Sequence, residues 1–386
     1  MSEITFNTWG VIALFFAGTF LLTYILIPII IDVAKFNNFV DNPNGRSSHK
    51  NSTPTLGGVA FFVALIIAFF FLNNWNTSNL TIHIIPGLTI LFLTGLKDDL
   101  VVLSPASKLS AQIIAIVFLL SNGLMRISGF NGFLGIEEVP FYIMHPISMF
   151  IILTIINAFN LIDGIDGLAS IIGSVISFVY AAIFYYLGLY YFSLLSVVSL
   201  AMLLAFLRFN LSHKKKIFMG DTGSLITGFI ISIFTIRFLA LSPDKLETLP
   251  FHLDNVPFIA MAVLIVPLFD LTRVFTIRIF NKKNPFKPDR KHTHHVLIDL
   301  GLSHRKTSLL MGVFNILFIG VFFILGTNFN NLVLFIFFLS TVLIILYILY
   351  RLDFSFSNIK KRISRKKKVE SIKMKLFPKN AKEKKI

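Results

Sequence analysis

The chain has 386 residues, 55% of them hydrophobic and 14% charged, with a net charge of +16 and no cysteine. Soluble proteins carry about 25% charged residues, and the mean hydropathy here is +0.79, so an ordinary soluble domain is excluded. The absence of cysteine also excludes disulfides, thiolate catalysis and cysteine-based zinc sites.

Apolar runs near or above the roughly 20 residues that cross a bilayer recur along the chain and predict an all-α polytopic membrane protein with about eleven transmembrane helices. The first run, 9–31, is too long for a signal-peptide core and lacks a small-residue cleavage site. Runs at 56–72, 80–96 and a short one at 109–120 follow, then a polar stretch at 122–145 with no interpretable motif. Further spans fall at 147–157 (starting as early as Phe141), 168–187, 191–209 and 225–241. A ninth at 256–280 is interrupted by Pro257 and Pro267, and the last two lie at 308–325 and 332–350. Residues 1–350 thus form one transmembrane domain, and 351–386 a basic tail suited to anionic headgroups. The tail has few aromatics and no folded module around it, which disfavours nucleic acid as a partner. The 44 phenylalanines are expected to be lipid-facing bulk.

Lysine and arginine concentrate in the loops at 32–55, 97–108, 208–216 and 281–306 and in the tail. By the positive-inside rule these lie in the cytoplasm, with the amino terminus outside and the carboxyl terminus inside.

The same loops hold the polar motifs. In NAFNLIDGIDGLA, at 157–169, Asn157, Asn160, Asp163 and Asp166 recur every third residue. Each step of three turns a helical side chain back by about 60°, so on one straight helix the first and last would point oppositely. Gly164 and Gly167 allow the helix to unwind and turn these side chains inward. A plain Gly/Asp turn is the simpler reading, but it leaves the register of the four polar residues unexplained. Asp98 and Asp99 end the third span, and adjacent carboxylates repel each other and often bind a cation. In FMGDTGS, at 218–224, Asp221 opens a span. It suits a helix start, with Thr222 and Ser224 as alternative caps, or one of the few carboxylates that magnesium takes beside substrate phosphates. Backbone amides there could also hold an anion. His292, His294 and His295 lie beside Arg290 and Lys291, a set better suited to phosphate oxygens than to zinc. Asp270 and Arg273, three apart inside the ninth span, are open between pairing and function.

These motifs, in this order from about Val40 to Thr307, resemble the polyprenyl-phosphate N-acetylhexosamine-1-phosphate transferases. That family starts O-antigen, enterobacterial common antigen and teichoic-acid linkage units, and includes the phospho-MurNAc-pentapeptide translocase of peptidoglycan synthesis. The histidines followed by LIDLGLSHRKT look like the N-acetylglucosamine branch, although Val296 stands where that branch usually has arginine. The resemblance implies a multi-pass enzyme of the cytoplasmic (inner) membrane serving cell-wall or lipopolysaccharide biosynthesis. It would transfer N-acetylhexosamine 1-phosphate from a UDP-sugar to undecaprenyl phosphate and release UMP. It implies Mg2+, with Mn2+ as the alternative, held by Asp221 and Asp99. Asp98 and Asp99 would lie by the lipid phosphate. Asn160, Asp163 and Asp166 would line the nucleotide pocket, Phe218 would stack on uracil, and His292, His294, His295 and Arg290 would grip the pyrophosphate, with Lys50 a further nucleotide contact. Homodimerisation is left open. The alternatives are the translocase itself and, outside the class, a membrane transporter, which would place its carboxylates near the bilayer midplane.

A lipid phosphate with its second pKa near 6 is mostly dianionic at pH 7. A strong base is then unnecessary, so Asp98 is expected to position rather than deprotonate. Direct in-line attack is expected, with a covalent aspartyl-phosphate as the alternative.

Overall fold

The computed structural model describes residues 8–41, 52–75, 79–280, 282 and 292–352. The fold is helical: α1 (Thr8–Phe36), α2 (Gly57–Leu72), α3 (Leu80–Leu100), α4 (Pro105–Leu120), α5 (Phe141–Ile162), α6 (Leu168–Tyr186), α7 (Tyr190–Asn210) and α8 (Gly220–Leu239) come first. A short α9 (Pro243–Leu246), α10 (Val256–Val263), α11 (Ile265–Phe280), α12 (Thr293–Asp299) and α13 (His304–Asn328) follow, and α14 (Asn331–Leu352) closes the described chain. Among the described residues nine helices are long and apolar enough to cross a membrane, or ten with the bent pair α10–α11. The eleventh expected span is α4, whose 16 residues reach about 24 Å.

Sequence decides where the expected ninth span bends. Pro257 sits in the first turn of α10, where its missing N–H is not needed, so it opens a helix rather than interrupting one. Pro267 cannot donate to the carbonyl of Val263; α10 ends at Val263, and α11 leaves at 73° to it.

Helix α8 is apolar on all sides and accordingly central: from Thr222 to Leu239 only Arg237 escapes burial. It packs on α2, α3 and α5. Close approach comes from glycine. A Cβ on Gly58 would lie 2.2 Å from Gly223 N, and one on Gly95 would lie 2.4 Å from Thr222 Cα. Phenylalanine serves the core as well as the lipid face, contrary to expectation: Phe159, Phe206, Phe229 and Phe234 are fully buried.

Two short hairpins complete the fold. β1 (Val40–Asp41) pairs antiparallel with β2 (Thr53–Pro54), with Val40 opposite Pro54, and closes the first polar loop at its base. β3 (Gly129–Phe133) and β4 (Ile136–Glu138) pair antiparallel inside the 122–145 stretch. That hairpin belongs to the end of the bundle where α4 stops and α5 begins. The opposite end gathers the start of α2, the α3–α4 and α5–α6 turns, the start of α8 and α12, and it holds every described polar motif.

Candidate active site

The α3–α4 turn is built around Asp98. Its Oδ1 accepts the Leu103 amide at 2.6 Å, and Ser104 caps α4 by accepting the Ser107 amide at 3.2 Å. The folded-back helix delivers Lys108, whose ammonium pairs with Asp98 and reaches Asp221 at 3.2 Å.

The first amides of a helix lack internal partners, and at α8 a neighbouring helix supplies them. Asp99 accepts the Asp221 amide at 2.7 Å, the Thr222 amide at 3.1 Å and the Thr222 hydroxyl at 2.6 Å. A carboxylate there also suits the positive end of the helix dipole. Asp99 therefore does the capping expected of Thr222 or Ser224, and the amides expected to be available to an anion are taken. Gly220, at φ +71°, permits the approach; a Cβ there would lie 2.2 Å from Thr55 O. The segment before α8 runs beside the 53–58 stretch, with Phe218 N donating to Pro54 O at 2.8 Å and Gly57 N to Phe218 O at 3.1 Å.

The α5–α6 turn splits its four polar residues. Asn157 points away, donating to Gln112 Oε1 at 3.0 Å and to Leu153 O. Asn160 donates to Asp221 and, at 2.9 Å, to Ser224 Oγ. Asp163 is half-buried and has no hydrogen-bond partner among the described residues. Burial, then the charges of Asp221, Asp99 and Asp166, push its carboxyl well above the usual 3.8. Asp166 turns outward to Lys216 at 2.7 Å and His304 at 3.4 Å. Burial pushes its carboxyl up, but bonding to His304 and Lys216 outweighs this and holds it below 3.8. Gly167 closes the turn at φ +82°, its amide donating at 2.6 Å to Asn210, which also donates to Ile217 O at 2.9 Å. Lys216 lies 5.1 Å over the Phe218 ring, so one face of that ring is covered.

The histidines meet this turn from α12. Asp270, fully buried in α11, binds His292 Nδ1 at 2.8 Å and accepts the Thr293 amide at 2.6 Å. This anchors the start of α12. His294 is 1% exposed, and its Nε2 would lie 2.7 Å from a Cβ on Gly164. Both its ring nitrogens lack a protein partner among the described residues. Burial pushes its imidazole down to about 3 against the pull of Asp270, with neighbouring histidine charge acting the same way. It is neutral at pH 7. His295 lies against it, ring centroids 4.4 Å apart.

Asp98, Asp99, Asn160, Asp163, Asp221 and His294, drawn from four separated motifs, thus share one end of the bundle. Lys50 and Arg290 lie outside the described residues, as does the tail beyond Leu352. Lys108, Lys216 and His304 escaped the sequence reading. Lys108 had one available signal: a cation in the first turn of a helix opposes the helix dipole and needs a reason to be there.

A sequence profile for glycosyl transferase family 4 matches residues 81–239. The chain is 33% identical over 312 residues to a probable undecaprenyl-phosphate N-acetylglucosaminyl 1-phosphate transferase of Bacillus subtilis, covering 78% of this chain and 82% of that protein. The chain belongs to this transferase family. It is also 26% identical over 298 residues to the undecaprenyl-phosphate alpha-N-acetylglucosaminyl 1-phosphate transferase of Escherichia coli K12, covering 76% of this chain and 78% of that one. The profile takes in every described site residue of this transferase except Asp270 and the histidines, which lie beyond it from α11 to the start of α13.

No group of three or more His, Asp or Glu side chains among the described residues of the transferase is drawn together tightly enough to hold a metal alone. Magnesium asks for less, one or two carboxylates with phosphate oxygens and water. Asp221 with the unpartnered Asp163 fits that demand. Asp99, expected as a ligand, has both oxygens engaged by α8.

Proposed function

We propose that this transferase moves N-acetylglucosamine 1-phosphate from a UDP-sugar to undecaprenyl phosphate, giving the lipid-linked pyrophosphoryl sugar and UMP. The observation that carries this reading is the meeting of the Asp98–Lys108, Asn160–Asp163, Asp221 and His294 groups at one end of a helical bundle. A lipid-anchored acceptor and a water-borne donor can meet only at such an end. The relatives' names favour N-acetylglucosamine over the pentapeptide-bearing sugar. A transporter would keep its carboxylates near mid-span, whereas these lie at helix termini. The lysine- and arginine-rich loops argue for a cytoplasmic site.

An oxygen of the lipid phosphate attacks the sugar-bearing phosphorus of the donor. The bond to the bridging oxygen breaks and UMP leaves with that electron pair. The dianionic acceptor needs no strong base. Asp98, with both oxygens held by Leu103 N and Lys108, positions rather than attacks, which argues against an aspartyl-phosphate. His294 donates an N–H to the diphosphate, and Asn160 fixes the rotamer of Asp221. A magnesium ion on Asp221 and Asp163 would supply the positive charge that offsets repulsion between the phosphates.

The test is release of UMP from UDP-N-acetylglucosamine by purified protein given polyprenyl phosphate and Mg2+. No release from any UDP-N-acetylhexosamine overturns the proposal. A phosphosugar trapped on the protein when lipid is withheld overturns direct attack.

A further inference from the structure

The geometry points to Lys108 as a built-in counter-cation of this site, paired with Asp98 and holding the Asp221 carboxylate that a divalent cation takes when the site is loaded. This rests on the metal-dependent transfer proposed above. Four carboxylates, Asp98, Asp99, Asp163 and Asp221, meet at the ends of α3, α5 and α8. Their charges act on one another. Asp99 is met by the amides and hydroxyl at the start of α8, and Lys108 pairs with both Asp98 and Asp221.

Three features argue that this is more than a surface ion pair. Asp98 is 5% exposed, in a region where an uncompensated carboxylate is costly. Lys108 stands in the first turn of α4, against the helix dipole, so its position is favourable only through these acids. The turn that carries it is tied back by Asp98 itself through Leu103 N, which makes the acid part of its own neutraliser's scaffold. Asn160 engages Asp221 Oδ1 and Lys108 its Oδ2, so an ion arriving on Asp221 and Asp163 competes with Lys108 for that carboxylate. Lys108 therefore holds the acids together between turnovers and is released from Asp221 when the ion arrives. Its side chain is 26% exposed, on a flexible stem, so it has room to move. Once released, its ammonium remains within reach of Asp98, where the acceptor phosphate enters.

The test uses full-length protein in nanodiscs with neither UDP-sugar nor lipid phosphate added. Lysine acetylation by an amine-reactive ester is followed by mass spectrometry with and without Mn2+. An ammonium freed from its ion pairs reacts faster, so Mn2+ raises the Lys108 rate about threefold or more, while Lys216, paired with Asp166, stays unchanged. Mn2+ binding by electron paramagnetic resonance gives the second measurement. Lys108→Met binds the ion about tenfold tighter than wild type, and Lys216→Met shifts affinity less than about threefold. Unchanged or slower Lys108 acetylation at saturating Mn2+, Lys108→Met binding no tighter, or no Mn2+ binding by either protein overturns the inference. UMP release by the wild type is scored separately. Release with a failed acetylation result overturns the role of Lys108 alone. Mn2+-driven acetylation without release overturns the transfer reaction and leaves the counter-cation standing.

Discussion

Gly164→Ala isolates the contact between His294 and the α5–α6 turn. The glycine is exposed, and its backbone lies outside the left-handed region, so alanine adds no strain. The added Cβ would stand 2.7 Å from His294 Nε2 and 3.1 Å from its Cε1. Ordinary contact begins at 3.4 Å, so the ring must retreat by at least 0.7 Å. A misplacement of about 1 Å can cost on the order of 100-fold in rate, and kcat/KM for the UDP-sugar is expected to fall about 10- to 100-fold. Displacing the buried ring should cost about 1–3 kcal/mol of stability, offset in part because alanine restricts the unfolded chain. The assay pairs steady-state kinetics with thermal unfolding, and Gly123→Ala, with nothing within 4 Å of its Cβ, is the control. Full activity with unchanged KM in Gly164→Ala would refute the reasoning, because the histidine would then not need its place over the turn.

Gly95→Ala and Gly58→Ala press a methyl onto α8 backbone at 2.4 Å and 2.2 Å, where no flexible side chain can yield. Each should cost about 3 kcal/mol or more, read as lost monodisperse protein or a lowered Tm; a native Tm would contradict the crossing. Asp99→Asn turns an NH2 toward donors that now share a carboxylate, at a cost of about 3 kcal/mol in stability, while Mn2+ affinity changes little. A large loss of Mn2+ binding with an unchanged Tm would restore Asp99 as a ligand. His294 binds a proton in the unfolded chain near 6.5 but in the fold only near 3. Its contribution is complete above pH 6.5 and is lost as the pH falls toward 3, by up to about 5 kcal/mol. His294→Asn should flatten that part of the Tm profile, and an unaltered slope would count against the buried neutral ring.

The spans were legible because apolar length is a local property, and the polar motifs because they interrupt it. The placement of Asp163, Asp221 and His294 at one end followed from counting spans between motifs. What each carboxylate does was not legible. Asp98 and Asp99 are neighbours in sequence, yet one closes its own turn and the other caps a helix more than 120 residues away. Asn157 and Asn160 share a motif and a helix, but a three-residue step aims one at Gln112 of α4 and the other at Asp221 of α8. Lys108 ends a stretch that reads as a basic loop before a short span, and its partners emerge only when α4 folds back on α3. Phenylalanine burial was missed because composition does not record which side of a helix faces α8.

Helix α4 reaches about 24 Å, some 6 Å less than the roughly 30 Å of hydrocarbon in a typical bilayer. A segment that falls short is accommodated by local thinning or by sinking its polar end below the neighbouring headgroups. That polar end carries Lys108 over Asp98. For the proposed reaction, a phosphate on a long isoprenoid tail, drifting in the leaflet, would then meet a lowered surface beside α4, with the Lys108 ammonium at its floor. Such an acceptor would reach the reaction site by lateral diffusion, without lifting its chain out of the oil.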